Sequence, residues 1–120
     1  MVAFSPDEKR AITANNDSSA TIWNMVSLKE ENTHRIGDLF GALFVGFAPS
    51  GEKVLIGRFV DPAIWLDVSN GSVLHTIDTG RIEALSPDGT RIISSKGIQD
   101  AMSGEVICSF RNYLFRDGKV

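Results

Sequence analysis

The 120-residue chain is predicted to be all-β, built from about three similar units of four short antiparallel strands. Three observations predict this. A proline-centred turn recurs at Pro6, Pro49 and Pro87, spaced by 43 and then 38 positions. A short β-rich run comes after each turn: Arg10-Ala11-Ile12-Thr13, Lys53-Val54-Leu55-Ile56 and Arg91-Ile92-Ile93-Ser94. Later in the second and third units an Asp stands four positions before a glycine, as Asp67 to Gly71 and Asp100 to Gly104, with another strand-like run beyond.

The first turn reads Phe4-Ser5-Pro6-Asp7, then Phe47-Ala48-Pro49, then Leu85-Ser86-Pro87-Asp88-Gly89, with a last echo at Phe115-Arg116-Asp117-Gly118-Lys119. Proline presets φ at the first corner, and Asp or Gly tolerates the backbone conformations of the next corners, so each turn joins two antiparallel neighbours. The second half of each unit holds Asp17-Ser18-Ser19-Ala20-Thr21-Ile22-Trp23-Asn24, with a turn Asp six residues before Trp23; Ala63-Ile64-Trp65-Leu66-Asp67-Val68, which ends a strand; and Ile98-Gln99-Asp100-Ala101. The fourth strands are Ser72 to Ile77 and Glu105 to Phe110, while Leu28-Lys29-Glu30-Glu31-Asn32 reads as a solvated outer strand or loop. One hairpin cannot bury both faces and needs neighbours stacked on it. Four strands per unit is the blade count of a β-propeller, and approximate blades are 1–34, 42–78 and 81–111, with 112–120 opening a further repeat. From Pro49 to Asp67 is 18 positions but from Pro87 to Asp100 only 13, which predicts a weakly formed third blade.

The segment Phe4-Ser5-Pro6-Asp7 followed by Asp17-Ser18-Ser19-Ala20-Thr21-Ile22-Trp23-Asn24 resembles the WD-repeat family, and the resemblance covers nearly the whole chain. It implies a structural network in which Thr13, Asp17 and Trp23 tie the second and third strands together; Trp donates, Thr does both and Asp accepts. Asn24 stands where the family has Asp after Trp. Leu66 and Gln99 fall at the Trp position of the later copies, and Trp65 is one place early. Propellers have four to eight blades, so this chain alone forms a partial propeller whose ring is not closed. It is expected to be a piece of a longer propeller, or a truncated gene product, with open blade edges that invite self-association.

Composition narrows the function. Net charge is −3, from 12 Lys and Arg against 15 Asp and Glu, with no basic stripe for nucleic acid or anionic membranes. Cys108 is the sole cysteine, so no internal disulfide forms, and a reducing, cytoplasmic setting is expected. The N-terminus does not read as a signal peptide, and the longest nearly apolar run, Leu39 to Ala48, is far short of the ~20 residues of a membrane helix. The glycosylation sequons at Asn16 and Asn70 read as chance matches.

No enzyme active site is predicted. His34, His75 and Cys108 lack metal-ligand spacing, so no metal is expected, and no cofactor either. No nucleophile elbow is present, and Cys108 reads as a small buried hydrophobe in mid-strand. Gly41 to Gly46 has the glycine spacing of a phosphate loop but lacks the Lys-Ser/Thr that completes one; these glycines read as points of close backbone approach. Asp7, Asp88 and Asp117 read as turn formers. The resemblance implies binding through loops around one face of the ring. Asn16, Arg58, Phe59, Arg81 and Glu83 would then face a partner, Arg and aromatic residues being enriched at interface hot spots. The expected function is a non-catalytic protein-binding scaffold. The alternatives are a propeller accessory to a catalytic domain outside this chain, or a remnant without independent function.

Overall fold

A computed structural model describes residues 1–14, 19–35, 42–58 and 62–110. It is all-β, with no helix among the described residues, in three four-stranded antiparallel sheets. The first sheet is β1 Val2–Phe4, β2 Arg10–Ala14, β3 Ser19–Asn24 and β4 Lys29–Arg35. The second is β5 Ala42–Phe47, β6 Lys53–Arg58, β7 Ala63–Asp67 and β8 Val73–Ile77. The third is β9 Ile82–Leu85, β10 Arg91–Ser94, β11 Gly97–Asp100 and β12 Val106–Ser109. Within each sheet the strands run in chain order, a simple meander. These sheets are the three blades, in a partial propeller-like arrangement.

Register makes the repeat regular in space where the sequence has drifted. Ile12 pairs with Ile22, Leu55 with Trp65, and Ile93 with Ile98. Their neighbours pair in step: Ala11 with Trp23, Val54 with Leu66, and Ile92 with Gln99. Successive side chains on a strand point to opposite faces, so each set of pairs defines one face of its blade. We call the first the forward face and the second the rear face.

Forward faces pack on the rear faces of the next blade. Ile12, Ala20 and Ile22 of the first blade form one core with Val54, Ile56, Ile64 and Leu66 of the second. Leu55, Ala63 and Trp65 of the second form another with Ile82, Ile92 and Ala101 of the third. The middle sheet is therefore apolar on both faces, which explains the unbroken run Val54-Leu55-Ile56. The inner strands β1, β5 and β9 lie side by side along the inner edge of the stack. A Cβ on Gly57 would meet Ile82 Cδ1 at 3.1 Å, so blades two and three approach closely there. The proline turns stack too: a Cβ on Gly89 would lie 2.8 Å from Pro49 Cδ.

Each blade uses two left-handed backbone positions. In the proline turns they are Glu8, Gly51 and Gly89, with φ of 62°, 74° and 75°. In the turns between third and fourth strands they are Leu28, Gly71 and Gly104, with φ of 62°, 73° and 78°. Asn24 Oδ1 accepts the N–H groups of Val26 and Ser27, as Asp100 Oδ1 accepts those of Met102 and Ser103. Asn24 therefore does in the first blade what Asp67 and Asp100 do in the other two.

Two sequence expectations change. The third blade is complete, with four paired strands, because the missing residues come from strand length and from the loop. β10 and β11 have four residues each, where β6 and β7 have six and five. The connection shrinks to Ser95-Lys96, and Gly97 at φ 127° admits the Cys108 carbonyl, which no side chain would allow. Cys108 itself is half-exposed and free, since it lies on the peripheral strand β12. Among the described residues, no helix is long and apolar enough to cross a membrane.

Candidate binding edge and the polar ties of the blades

Trp23 Nε1 donates to Thr13 Oγ1 at 3.1 Å, linking β3 to β2 across the rear face of the first blade. Asp17, the third expected member of this network, lies outside the described residues. Trp23 is only half-buried, because among the described residues no sheet packs on this face. In the second blade the equivalent positions carry Ile56 and Leu66, both fully buried, and the tie is replaced by apolar packing. In the third blade they carry Ser94 and Gln99.

Gln99 restores the network by different chemistry. Its side chain is fully buried, and Oε1 accepts from the Ser94 hydroxyl at 2.5 Å and from the Gly80 N–H at 3.2 Å. Nε2 donates to the carbonyls of Asp78 and Gly104 at 2.9 and 2.8 Å. All four bonding directions of the amide are used. One side chain thus joins β10, β11, the connection before β9 and the turn before β12. From the sequence Gln99 reads only as a lost Trp; the signal for its role is Ser94, a hydroxyl at the Thr position.

Trp65 also carries more than its sequence position suggests. Standing at the position of Ile22, it points forward, is 2% exposed, and donates from Nε1 to the Ala101 carbonyl of the next blade at 2.7 Å. Opposite it on β8, His75 brings its ring to 6.4 Å from the indole, and its Nε2 is buried without a hydrogen-bond partner. His34 lies in β4 with its backbone paired to Ala20. Among the described residues, no three His, Cys, Asp or Glu side chains are grouped to hold a metal.

The meander sends the connections after β2, β4, β6, β8 and β10 to the edge opposite the proline turns. Asn16 and Phe59 fall in two of them, outside the described residues. Arg58 closes β6, and its Nε donates to the Pro62 carbonyl at 2.9 Å, which fixes the guanidinium across the β6–β7 connection. Arg81 leads into β9; its N–H donates to Ser95 Oγ at 2.9 Å, and its Nε pairs with Glu83 at 3.2 Å. Both partners of that pair are more than half exposed, so it contributes little to stability. Because Gly57 abuts Ile82, the adjoining Arg58 and Arg81 start from neighbouring backbone. Exposed Lys96 lies in the β10–β11 turn of the same edge, and Asp78 in the connection before β9.

The opposite edge carries carboxylates already engaged. Asp88 accepts the Ser86 and Thr90 hydroxyls and the Thr90 N–H, which hold its pKa down at about 2. Asp7 is lowered in the same way by the Ser5 hydroxyl and the Lys9 N–H. Asp67 is lowered by the Ser69 hydroxyl and N–H, and Asp100 by the N–H groups of Ser103 and Met102. These groups form turns, as their sequence context suggests. No protein-family model matches the chain, and no curated protein matches it.

Proposed function

We propose that the chain is a non-catalytic, intracellular protein-binding scaffold of the WD-repeat type, displaying loops from the edge opposite its proline turns. The observation that carries this reading is the fixed Arg58 guanidinium with Arg81 on neighbouring backbone, on an edge made of inter-strand connections. The Trp23–Thr13 bond and the stacked proline turns support the WD-repeat type, since that resemblance implies the former and requires the latter to be equivalent.

The test is comparative capture from native lysate with the wild-type chain, an Arg58→Glu/Arg81→Glu variant, and an Asp88→Asn variant on the far edge. Proteins retained by wild type and Asp88→Asn but lost from the double variant support the reading. An identical set of captured proteins for all three chains, with folding verified, would remove it.

A further inference from the structure

Asn70 is the one asparagine of the chain that stands before a glycine. It sits in the β7–β8 turn, just before the left-handed Gly71, where the first and third blades carry Ser27 and Ser103 before Leu28 and Gly104. The turn asks there for a short side chain with an acceptor oxygen. Asn70 Oδ1 accepts the Ser72 N–H at 2.9 Å, as Ser103 Oγ accepts the Glu105 N–H at 3.1 Å. Serine meets that demand, so the amide of Asn70 adds a chemistry that the turn does not require.

Asparagine is a thermolabile residue, because the next backbone nitrogen can attack its side-chain carbonyl carbon; glycine leaves that nitrogen unshielded. The Gly71 nitrogen loses its proton, a bond forms from it to Asn70 Cγ, and the bond from Cγ to the amide nitrogen breaks. The departing nitrogen takes up a proton and leaves as ammonia. Water then opens the cyclic imide at either carbonyl, giving aspartate, or isoaspartate with the main chain routed through the side chain. Two features of the turn act on this reaction in opposite directions. The Ser72 N–H sits on the oxygen that gains charge in the tetrahedral intermediate, which favours attack. The Gly71 N–H, however, donates to the Asp67 carbonyl at 2.8 Å, which holds the proton and the nitrogen away from the reaction. The Asp67 carboxylate adds to this hold by accepting the Ser69 N–H and hydroxyl at 2.8 and 2.6 Å. Asn70 itself is exposed, so water reaches it.

We infer that Asn70–Gly71 is a self-modification site held in check by the Asp67 turn, converted to aspartate and isoaspartate when the β7–β8 connection opens. The rate follows the open population, so a turn closed nine-tenths of the time reacts about tenfold more slowly than an unfolded chain. The isoaspartyl product adds a methylene to the main chain inside the turn. The bonds that close it, Gly71 N–H to the Asp67 carbonyl and Asp67 N–H to the Ser72 carbonyl, then lose their common geometry. One opening is thereby made permanent, beside the strand that holds His75 against Trp65. The site lies on the proline-turn edge, so this inference and the loop-binding reading can fail separately.

Peptide mapping by mass spectrometry, on the full chain incubated at mildly alkaline pH with and without urea, tests it. In urea the peptide holding Asn70 is expected to convert to a mixture of aspartate and isoaspartate. In the folded chain the same conversion should be slower by about tenfold or more. Asp67→Ala, with its fold verified by circular dichroism, should lie between the two, and Asn70→Ser should leave that peptide unchanged in both conditions. Urea below the unfolding midpoint gives a second measure that needs no variant: conversion should speed up before the chain unfolds. Equal rates in the folded and unfolded wild type would overturn the inference, as would an Asn70 that stays intact in urea. So would a folded Asp67→Ala chain no faster than wild type, or a rate that rises only with global unfolding.

Discussion

Gln99 illustrates how much one side chain can carry when its position is buried and its neighbours are backbone. Replacing it with Leu keeps most of the volume but strips partners from the Ser94 hydroxyl and the Asp78 and Gly104 carbonyls. Each buried polar group left unpaired costs about 1–3 kcal/mol, so Gln99→Leu is expected to destabilise by roughly 2–4 kcal/mol. Adding Ser94→Ala removes one stranded group, and the double variant should lose less than the two single changes summed. Urea denaturation of the four chains measures this; strict additivity would mean that the two side chains are not coupled. The indoles are expected to rank by burial. Trp65→Ala empties a closed junction, whereas Trp23→Ala trims a half-open face, so the cost of about 3–5 kcal/mol for a buried Trp belongs to Trp65. Left-handed backbone offers the opposite sign. Glu8 and Leu28 occupy positions where the other two blades have glycine. Left-handed backbone costs a side-chain-bearing residue roughly 1–2 kcal/mol, part of which glycine returns as unfolded-state entropy. Glu8→Gly and Leu28→Gly should each raise the melting temperature, by a stabilisation of about 0.5–1 kcal/mol. A fall in melting temperature for both would contradict the turn geometry.

At the level of the element, the proline hairpin is a small machine for fixing register, and its carboxylate makes it sensitive to acid. Asp88 accepts three hydrogen bonds in its ionised form, which lowers its folded-state pKa to about 2 from an ordinary 3.8. A group depressed in this way contributes stability that is complete above the unfolded pKa and is lost as pH falls through the folded one. The window for Asp88 therefore runs from about pH 4 down to about pH 2. Asp7, Asp67 and Asp100 are shifted in the same direction, so their contributions have the same sign. Asp88→Asn should flatten the stability of the chain across that acidic window relative to wild type, with the curves converging at the acid end. Urea midpoints taken through the window would show it, and parallel curves would contradict the assignment. These turns are the most legible part of the sequence, because Pro, Asp and Gly act locally and announce themselves. Sheet count, strand order and the outer strand after Leu28 come with them. The facing of the strands is less legible: Val54-Leu55-Ile56 is apolar throughout, so alternation is silent where both faces are covered. For that reason Trp65 reads as one place early, when it in fact belongs to the opposite face from Trp23. Of the residues expected to face a partner, Arg58, Arg81 and Glu83 are among the described residues, whereas Asn16 and Phe59 lie outside them, as does Asp17 of the expected polar network.

Across the whole molecule, stability depends on position in the stack. Each blade touches only its neighbours, so the array behaves as a short one-dimensional chain of units and interfaces. Among the described residues the middle blade has two covered faces and supplies residues to both cores, while each outer blade supplies residues to one. Local opening is cheapest where least apolar surface is exposed by it. Amide exchange is therefore expected to be slowest in β6 and β7, intermediate in β2 and β10, and fastest in the peripheral strands β4 and β12. Trp65→Ala sharpens the test, because Trp65 ties blade two to Ala101 as well as filling the second core. Loss of that junction should speed exchange in β9, β10 and β11 much more than in β2 and β3, which hold on to blade two through Ile12, Ile22, Val54 and Leu66. Uniform acceleration over all three blades would instead mean that the array unfolds as one cooperative unit, with no separable junctions.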